Sequence, residues 1–347
     1  MNNIKTTIFL LIISILLSFS ACSKDIPNEE QVDLIESPII ENEITDNEIP
    51  DETEKIPEKI PEKIVIEQYD DTQKVLMNVF YKNTKIKDLT VDIYQPTTRL
   101  YQKNPTIIFF HGGSWVAGKK DLIWEFQTVV ETLREQGFAF VTVDYRFADD
   151  EFKYREVITD CIDAVKWVVK NAENYDFDVE NLNTMGFSSG AHLALMTALA
   201  QEDYSDSTDV KYEIKKVISA SAPINFDMDY LKMNAKKYET YTFTIPMLEN
   251  FIGETYENMK NDYFSASPFA FLSENMSKKP EILLIHGSND EMVDITNSET
   301  FFNSAANAGF DVKFQIINNA THRFFTNKFA VEPTLNEIYE IMIDFIN

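Results

Sequence analysis

The segment that most constrains this chain is 183–195, N-T-M-G-F-S-S-G-A-H-L-A-L, with a G-x-S-x-G at its centre: Gly186-Phe187-Ser188-Ser189-Gly190. The approach to Phe187 has the texture of a strand end, and Ala191, Leu193, Ala194 and Leu195 read as the apolar start of a helix. A strand that turns sharply into a helix holds the turn serine in a strained conformation, with its hydroxyl projecting above the sheet. The flanking glycines leave space where a side chain would strike the next strand or helix. Alone, the pattern is also met as an ordinary Gly/Ser turn. Glycine is scarce here, however, with nine in 347 residues, and five of the nine (Gly112, Gly113, Gly186, Gly190, Gly287) fall in three short motifs. That clustering argues for a built site.

The flanking pattern gives the fold class. Val75, Met77, Val79 and Tyr81 alternate, as do Leu89, Val91 and Ile93, which predicts a pair of antiparallel strands. Apolar stretches at 106–110, 138–143, 217–222 and 282–285 predict buried strands, the first of them covered on both faces, and 312–317 is read as the last strand. Helical spacing appears between them: at 122–133 with Gly137 as cap, at 157–172, at 295–305 closed by Gly309, and at 335–345 with Pro333 near its start. Cys161 falls on the apolar face of the second of these, as a buried thiol. Alternating strands and helices predict an α/β fold, a mostly parallel twisted sheet with helices on both faces. Ligands in such sheets bind at the carboxyl ends of strands, and each motif follows a predicted strand. The segment 224–264 interrupts the alternation with nine aromatics and four methionines. It reads as a cap insertion, most of whose rings form its own small core.

A serine hydroxyl needs a base within hydrogen-bond reach and an acid to orient that base. Of the four histidines, His192 lies on the helix behind the serine and points into the body. His111 precedes His111-Gly112-Gly113-Ser114-Trp115's glycines and suits a structural role, and His286 ends a strand. His322 sits in a loop after the last strand, free to reach Ser188, and is the expected base. The acid is expected after the preceding strand, in His286-Gly287-Ser288-Asn289-Asp290-Glu291. Asp290 is the first choice. Asp294 competes but is placed as an N-cap for the following helix, and Glu291 is a weaker alternative.

The net charge of −26 excludes nucleic acid as a partner, since phosphate binding needs a basic surface. There are two cysteines and no C-x-x-C or H-E-x-x-H, so neither a disulfide nor a metal is expected. Residues 1–22 carry Lys5, an apolar run at 8–19 too short for a membrane span, and Phe19-Ser20-Ala21-Cys22. The last four residues resemble a bacterial lipobox, with Phe19 where leucine is usual. The expectation is a lipoprotein signal peptide and an exported, membrane-anchored chain lipidated at Cys22. Residues 23–66 hold 14 acids against three lysines beyond Lys24 and have no aromatics before residue 67. They also contain the repeat E-K-I-P-E-K-I-P-E-K-I, which predicts a disordered acidic tether. The catalytic domain is then 67–347.

From about residue 75 onward the chain resembles the α/β-hydrolase esterases and lipases. That group includes the hormone-sensitive-lipase-like carboxylesterases and the feruloyl and acetyl-xylan esterase-like proteins. The resemblance rests on H-G-G-S-W, V-D-Y-R, G-F-S-S-G-A-H-L-A, A-S-P, H-G-S-N-D-x-x-V and the late histidine, in that order. It implies the triad order Ser188, Asp290, His322. It also implies an oxyanion hole from the N–H groups of Ser189, Gly112 and Gly113, and no cofactor. Ser114 stands where the lipase-like branch often has a third glycine, and H-G-G-x-W is closer to the feruloyl-esterase and arylformamidase branches. The implied activity is hydrolysis of short-chain or aromatic acyl esters, small or carried on polysaccharides. An arylformamidase-like amidase or exopeptidase on the same triad is the alternative within catalysis. A non-catalytic binding module is the alternative outside it, although such modules typically lose a triad member and none is missing here.

Overall fold

The four side chains from Ile107 to Phe110 are each at most 1% exposed, because the strand that carries them is covered on both sides. In the computed structural model that strand, β4 (Asn104–Phe110), lies near the middle of a nine-stranded sheet. The other members are β1 (Tyr69–Asp70), β2 (Val75–Asn83), β3 (Asp88–Tyr94), β5 (Ala139–Val143), β6 (Phe177–Phe187), β7 (Ile214–Ala220), β8 (Glu281–Gly287) and β9 (Val312–Ile317). The order is β1-β2-β3-β5-β4-β6-β7-β8-β9. Pairing is antiparallel from β1 through β3 to β5 and parallel from β5 to β9. The structure describes residues 69–70, 74–149, 151–204, 210–234, 238–326 and 330–347, all within the unit Glu62–Asn347. The expected leader 1–22 with Cys22 and the expected tether 23–66 lie outside the described residues.

The helices cover both faces. Alternate residues of β4 go to opposite cores, as the period of two dictates. Ile107 and Phe109 pack with Val129, Val130 and Leu133 of α1 (Gln127–Glu135) and with Ile338 and Met342 of the C-terminal helix (Leu335–Ile346). Ile108 and Phe110 join the second core. There they meet Val157, Cys161 and Val165 of α2 (Tyr154–Lys170) and Leu193 and Ala194 of α3 (Ser189–Leu199). Cys161 is buried and unpaired, as expected. Each buried phenylalanine of this kind contributes about 2–3 kcal/mol by leaving water.

Four details depart from the sequence reading. The helix expected over 122–133 is split into a 3-10 segment (Lys120–Phe126) and then α1. Lys120 is the cause: its ammonium is buried against Asp92 (2.6 Å), Thr90 (2.8 Å) and Asn78 (2.9 Å), which ties the start of the segment to β2 and β3. The alternation of β2 breaks between Leu76 and Val79, where the register shifts against β3 and Asn78 takes φ 57°. An extra residue in one strand of a pair has this effect, and both Val75 and Leu76 are therefore buried. The insertion is longer than 224–264. Among the described residues no strand intervenes between 221 and 280, and the insertion carries α4 (Met228–Asn234), α5 (Tyr238–Ile252), α6 (Lys260–Ser265) and a 3-10 turn (Pro268–Phe271). Finally, α7 (Thr296–Asn307) has Ile295 and not Asp294 as its N-cap residue. The Asp294 carboxylate still accepts the Thr296 N–H (3.0 Å) from one position further out.

α2 is locked to the sheet by charge. Asp160 is fully buried and accepts Arg146 Nε (2.7 Å), a second guanidinium nitrogen (2.8 Å) and Lys82 Nζ (2.7 Å). Removing one partner of a buried pair strands the others without compensation. Asp160→Ala is expected to cost about 3 kcal/mol, and Asp160→Asn less. Urea unfolding of the purified protein, read as a shift in midpoint at constant slope, checks the order.

Candidate active site

Ser188 sits between β6 and α3 at φ 54°, ψ −125°, a region that costs a non-glycine residue on the order of 1–3 kcal/mol. Its N–H is tied to Ala220 O (2.8 Å) at the end of β7. The turn closes because Gly190 has no side chain. A Cβ there would lie 2.0 Å from Phe110 O and 2.5 Å from His111 O, so α3 starts directly against the end of β4. That contact brings the H-G-G loop to the serine: a Cβ on Gly112 would fall 3.3 Å from Ser188 Cβ.

Three of the expected residues form one hydrogen-bonded line. Ser188 Oγ is 2.9 Å from His322 Nε2, and His322 Nδ1 is 2.7 Å from Asp290 Oδ2. A carboxylate can only accept, so Nδ1 carries the proton and Nε2 presents its lone pair to the serine hydroxyl. All three residues are at least nine-tenths buried. Asp290 and His322 meet because Gly287 lets β8 run against the following loop: a Cβ there would stand 2.4 Å from Ala320 O.

Asp290 is held as an anion. Burial alone would raise its pKa, but the electrostatic attraction of the His322 ring and hydrogen bonds from His286 and His322 hold it well below the usual carboxylate range. Oδ1 accepts the N–H groups of Met292 and Val293, both at 2.8 Å. Oδ2 accepts His322 and stands 3.1 Å from His286 Nε2. Because the folded value is depressed, this site stabilises the fold above the unfolded carboxylate range and loses that contribution only as pH falls through the depressed value.

Asp294 is directed elsewhere. Besides Thr296 N–H it receives the Thr240 hydroxyl (3.1 Å), so it ties α5 of the insertion to the start of α7. Glu291 accepts the backbone N–H of His322 (3.1 Å), fixing the loop that carries the histidine. His111 donates from Nδ1 to Gly112 O (2.9 Å) and stacks on Tyr145 (4.3 Å), whose hydroxyl donates to His111 O (2.6 Å). Burial lowers its pKa to about 4, so it stays neutral and holds the first glycine in place.

Gly112 and Ser189 stand beside the nucleophile, the first by the close approach of the H-G-G loop and the second as the next residue in the chain. Ser189 is the first residue of α3, where N–H groups have no acceptor within the helix. Gly113 turns at φ 133°, and its carbonyl accepts the N–H groups of Val116 and Ala117, both at 3.1 Å. Aromatic rings lie against the base. Phe187 is 5.1 Å from the His322 ring and 4.8 Å from Phe325, and Arg323 lies over Phe325 (5.4 Å) while paired with Glu125 (2.6 Å). The partnerships of His286, Glu291 and Trp115 were not legible beforehand. The only sequence signal for them was their place inside the same short motifs.

Comparison with known proteins places this architecture. The BD-FAE family model matches residues 91–304, more than half the chain. An arylesterase of Saccharolobus solfataricus is 23% identical over 247 residues, covering 70% of this chain and 76% of that protein. Esterase LipQ of Mycobacterium tuberculosis is 26% identical over 231 residues, 64% of this chain but only 51% of the relative. Among solved structures, a Thermogutta terrifontis esterase with propionate bound superposes with a TM-score of 0.61 at 20% identity, over 79% of this chain and 93% of that one. A truncated carbohydrate esterase from gut microbiota gives 0.61 at 22%, over 80% and 96%. At these identities the structural likeness carries the fold, which is the α/β-hydrolase fold. The chain belongs to the BD-FAE family of α/β-hydrolase esterases, and it is a carboxylic ester hydrolase.

Proposed function

We propose that Ser188, His322 and Asp290 are the nucleophile, general base and orienting acid of a serine esterase for short-chain or aromatic acyl esters, including acyl groups carried on polysaccharides. The observation that carries the reading is the hydrogen-bonded line from Ser188 through His322 to the anionic Asp290. Ser188 Oγ attacks the ester carbonyl carbon while its proton passes to His322 Nε2. The carbonyl oxygen becomes an oxyanion, received by the N–H groups of Gly113 and Ser189 with Gly112 as the alternate donor. The tetrahedral intermediate collapses, the C–O bond to the alcohol breaks, and the imidazolium protonates the leaving oxygen. Water then attacks the acyl-serine, giving a proton to His322. The acid leaves, and that proton returns to Ser188. Asp290 keeps the imidazole in the required tautomer and offsets its charge.

Three observations support the substrate class. Phe187 and Phe325 flank the triad with aromatic faces, suited to a flat acyl or aryl group. One relative is named an arylesterase, and neighbours in fold include an esterase solved with propionate or butyrate and a carbohydrate esterase. Ser114 in place of a third glycine keeps the H-G-G-x-W form of the loop. An exported enzyme anchored through a lipid on Cys22, with the acidic stretch 23–66 as its tether, would meet such esters outside the cell. The support for anchoring is the sequence pattern at 1–66.

Ser188→Ala and His322→Ala are each expected to lower kcat by on the order of 10⁵-fold or more. Asp290→Asn should lose about 10⁴-fold through the wrong tautomer, while Asp294→Asn stays within a few-fold of the parent. Steady-state hydrolysis of an aryl acetate reads all four, and a dead Asp294→Asn beside an active Asp290→Asn would reverse the acid assignment. Against aryl esters of increasing acyl length, kcat/KM should peak at two to four carbons or at an aromatic acyl group. Acetylated xylan and a feruloylated oligosaccharide should release acid in a Ser188-dependent way. Turnover of an aryl formamide alone would move the reaction to amide cleavage. Cys22→Ser should abolish labelling by radioactive palmitate and move the protein from the detergent to the aqueous phase, and unchanged labelling would sink the anchor.

A further inference from the structure

The turn that carries the oxyanion glycines is built from an unusual run of backbone. Gly113, Ser114 and Trp115 take φ 133°, 53° and 62° in succession, although only the first is glycine. A bulky side chain in the left-handed region persists only where its surroundings hold it there. The surroundings of Trp115 are specific. The ring is 1% exposed, stacked on Phe251 (4.1 Å, 13°) and edge-on to Phe226 (6.0 Å) and His192 (5.3 Å). Its indole N–H donates to His192 Nδ1 (3.2 Å), and its carbonyl accepts the Ala148 N–H (2.8 Å).

His192 fixes the direction of that bond. Its Nε2 faces Ala266 O at 2.7 Å, and a carbonyl can only accept, so Nε2 carries the proton and Nδ1 is left as an acceptor. The imidazole also stacks on Phe226 (5.1 Å, 18°). Burial lowers its pKa to about 4, so the acceptor persists at neutral pH. Phe226, Phe251 and Ala266 all belong to the 221–280 insertion, while His192 lies on α3, one turn past the nucleophile. The insertion, the nucleophile helix and the oxyanion loop thus meet at one indole ring.

We propose that Trp115 is a positioning residue: clamped by His192 and by Phe226 and Phe251 of the insertion, it holds the Gly112-Gly113 turn in its strained form, so that the oxyanion donors are set before substrate arrives. The inference rests on the assignment of those glycines to the oxyanion hole. An oxyanion hole acts on the transition state and leaves substrate binding almost untouched. Loosening the clamp therefore lowers kcat at nearly constant KM.

The test measures kcat per titratable serine, KM and inhibition by an aryl trifluoromethyl ketone, whose serine adduct places an oxyanion in the hole. The proteins compared are the parent, Trp115→Leu, Trp115→Phe, His192→Leu and the Trp115→Leu/His192→Leu double variant. Trp115→Leu is expected to lose about 10²-fold in kcat, with KM within about threefold and ketone affinity falling in parallel with kcat/KM. Trp115→Phe keeps the stack without the N–H and should recover most of that loss. His192→Leu should weaken the same step, and the double variant should fall short of the product of the two single effects, as coupled residues do. If Trp115→Leu fails to fold, Trp115→Phe and His192→Leu carry the same comparison. Variants that lose melting temperature but keep parental kcat and ketone affinity would reduce Trp115 to core packing and overturn the inference. A parent whose ester turnover survives Ser188→Ala would instead overturn the nucleophile assignment on which it rests.

Discussion

Parallel register is the constraint on which the site depends. Phe110 of β4 pairs with Gly186 of β6, Phe187 with Ala220 of β7, and Gly287 of β8 with Ile317 of β9. Strands in such a ladder end level with one another, and the loops that leave them emerge side by side. Ser188, the H-G-G turn, Asp290 and His322 each follow one of those ends, so residues up to 134 positions apart stand within hydrogen-bond reach. Once the register is set, only short adjustments are needed. Gly190 permits the first close approach and Gly287 the second, each by omitting a Cβ that would strike a backbone carbonyl.

A buried anion at the end of such a ladder is tolerable only if it is fully paired. Asp290 meets that demand with two backbone N–H groups on one oxygen and two imidazoles near the other. The same arrangement fixes His322 in rotation and tautomer, so the stability of the acid loop and the readiness of the base are one property. Glu291 adds to it from the neighbouring position by taking the His322 N–H, which makes the acid loop and the base loop a single hydrogen-bonded unit. Strain is stored at Ser188, Ser114 and Trp115, where positive φ is imposed on residues with side chains. Rigid charge behind the base and a held turn beside the nucleophile leave little to rearrange during the reaction.

The central strands were legible because burial on both faces leaves mostly apolar residues to choose from, as at 106–110 and 282–285. The helix ends at Gly137 and Gly309 were legible for a local reason as well: a residue just past a helix end takes positive φ, here 90° and 78°. Ser188, Asp290 and His322 could be named as candidates because each had few competitors in its loop. What stayed hidden depends on partners far away in sequence. The break at Lys120 follows from Asp92 and Asn78, and the bulge at Asn78 follows from the same cluster. The extent of the insertion could not be read from its aromatics, since residues 265–280 are joined to it by packing and not by composition. The bond between Trp115 and His192 spans 77 positions, and neither residue type announces the other.

The four histidines show why residue type alone could not assign roles. Each is at least 98% buried, and each is sorted by the acceptors its nitrogens meet. His111 meets a carbonyl with Nδ1 and holds a glycine. His192 meets a carbonyl with Nε2 and receives an indole N–H. His286 has Val293 O and Asp290 Oδ2 about Nε2 and the Ser298 hydroxyl at Nδ1, so both nitrogens are occupied within the fold. His322 has the Asp290 carboxylate on Nδ1 and the Ser188 hydroxyl on Nε2, whereas the serine that His286 meets is Ser298, inside the helix that follows the acid loop. A base must have a lone pair that faces a proton it can take, and in the other three that lone pair is spent on structure or aimed away from the nucleophile. Loop placement pointed to His322 in the sequence, and the physical reason is that its Nε2 is the one imidazole nitrogen directed at Ser188.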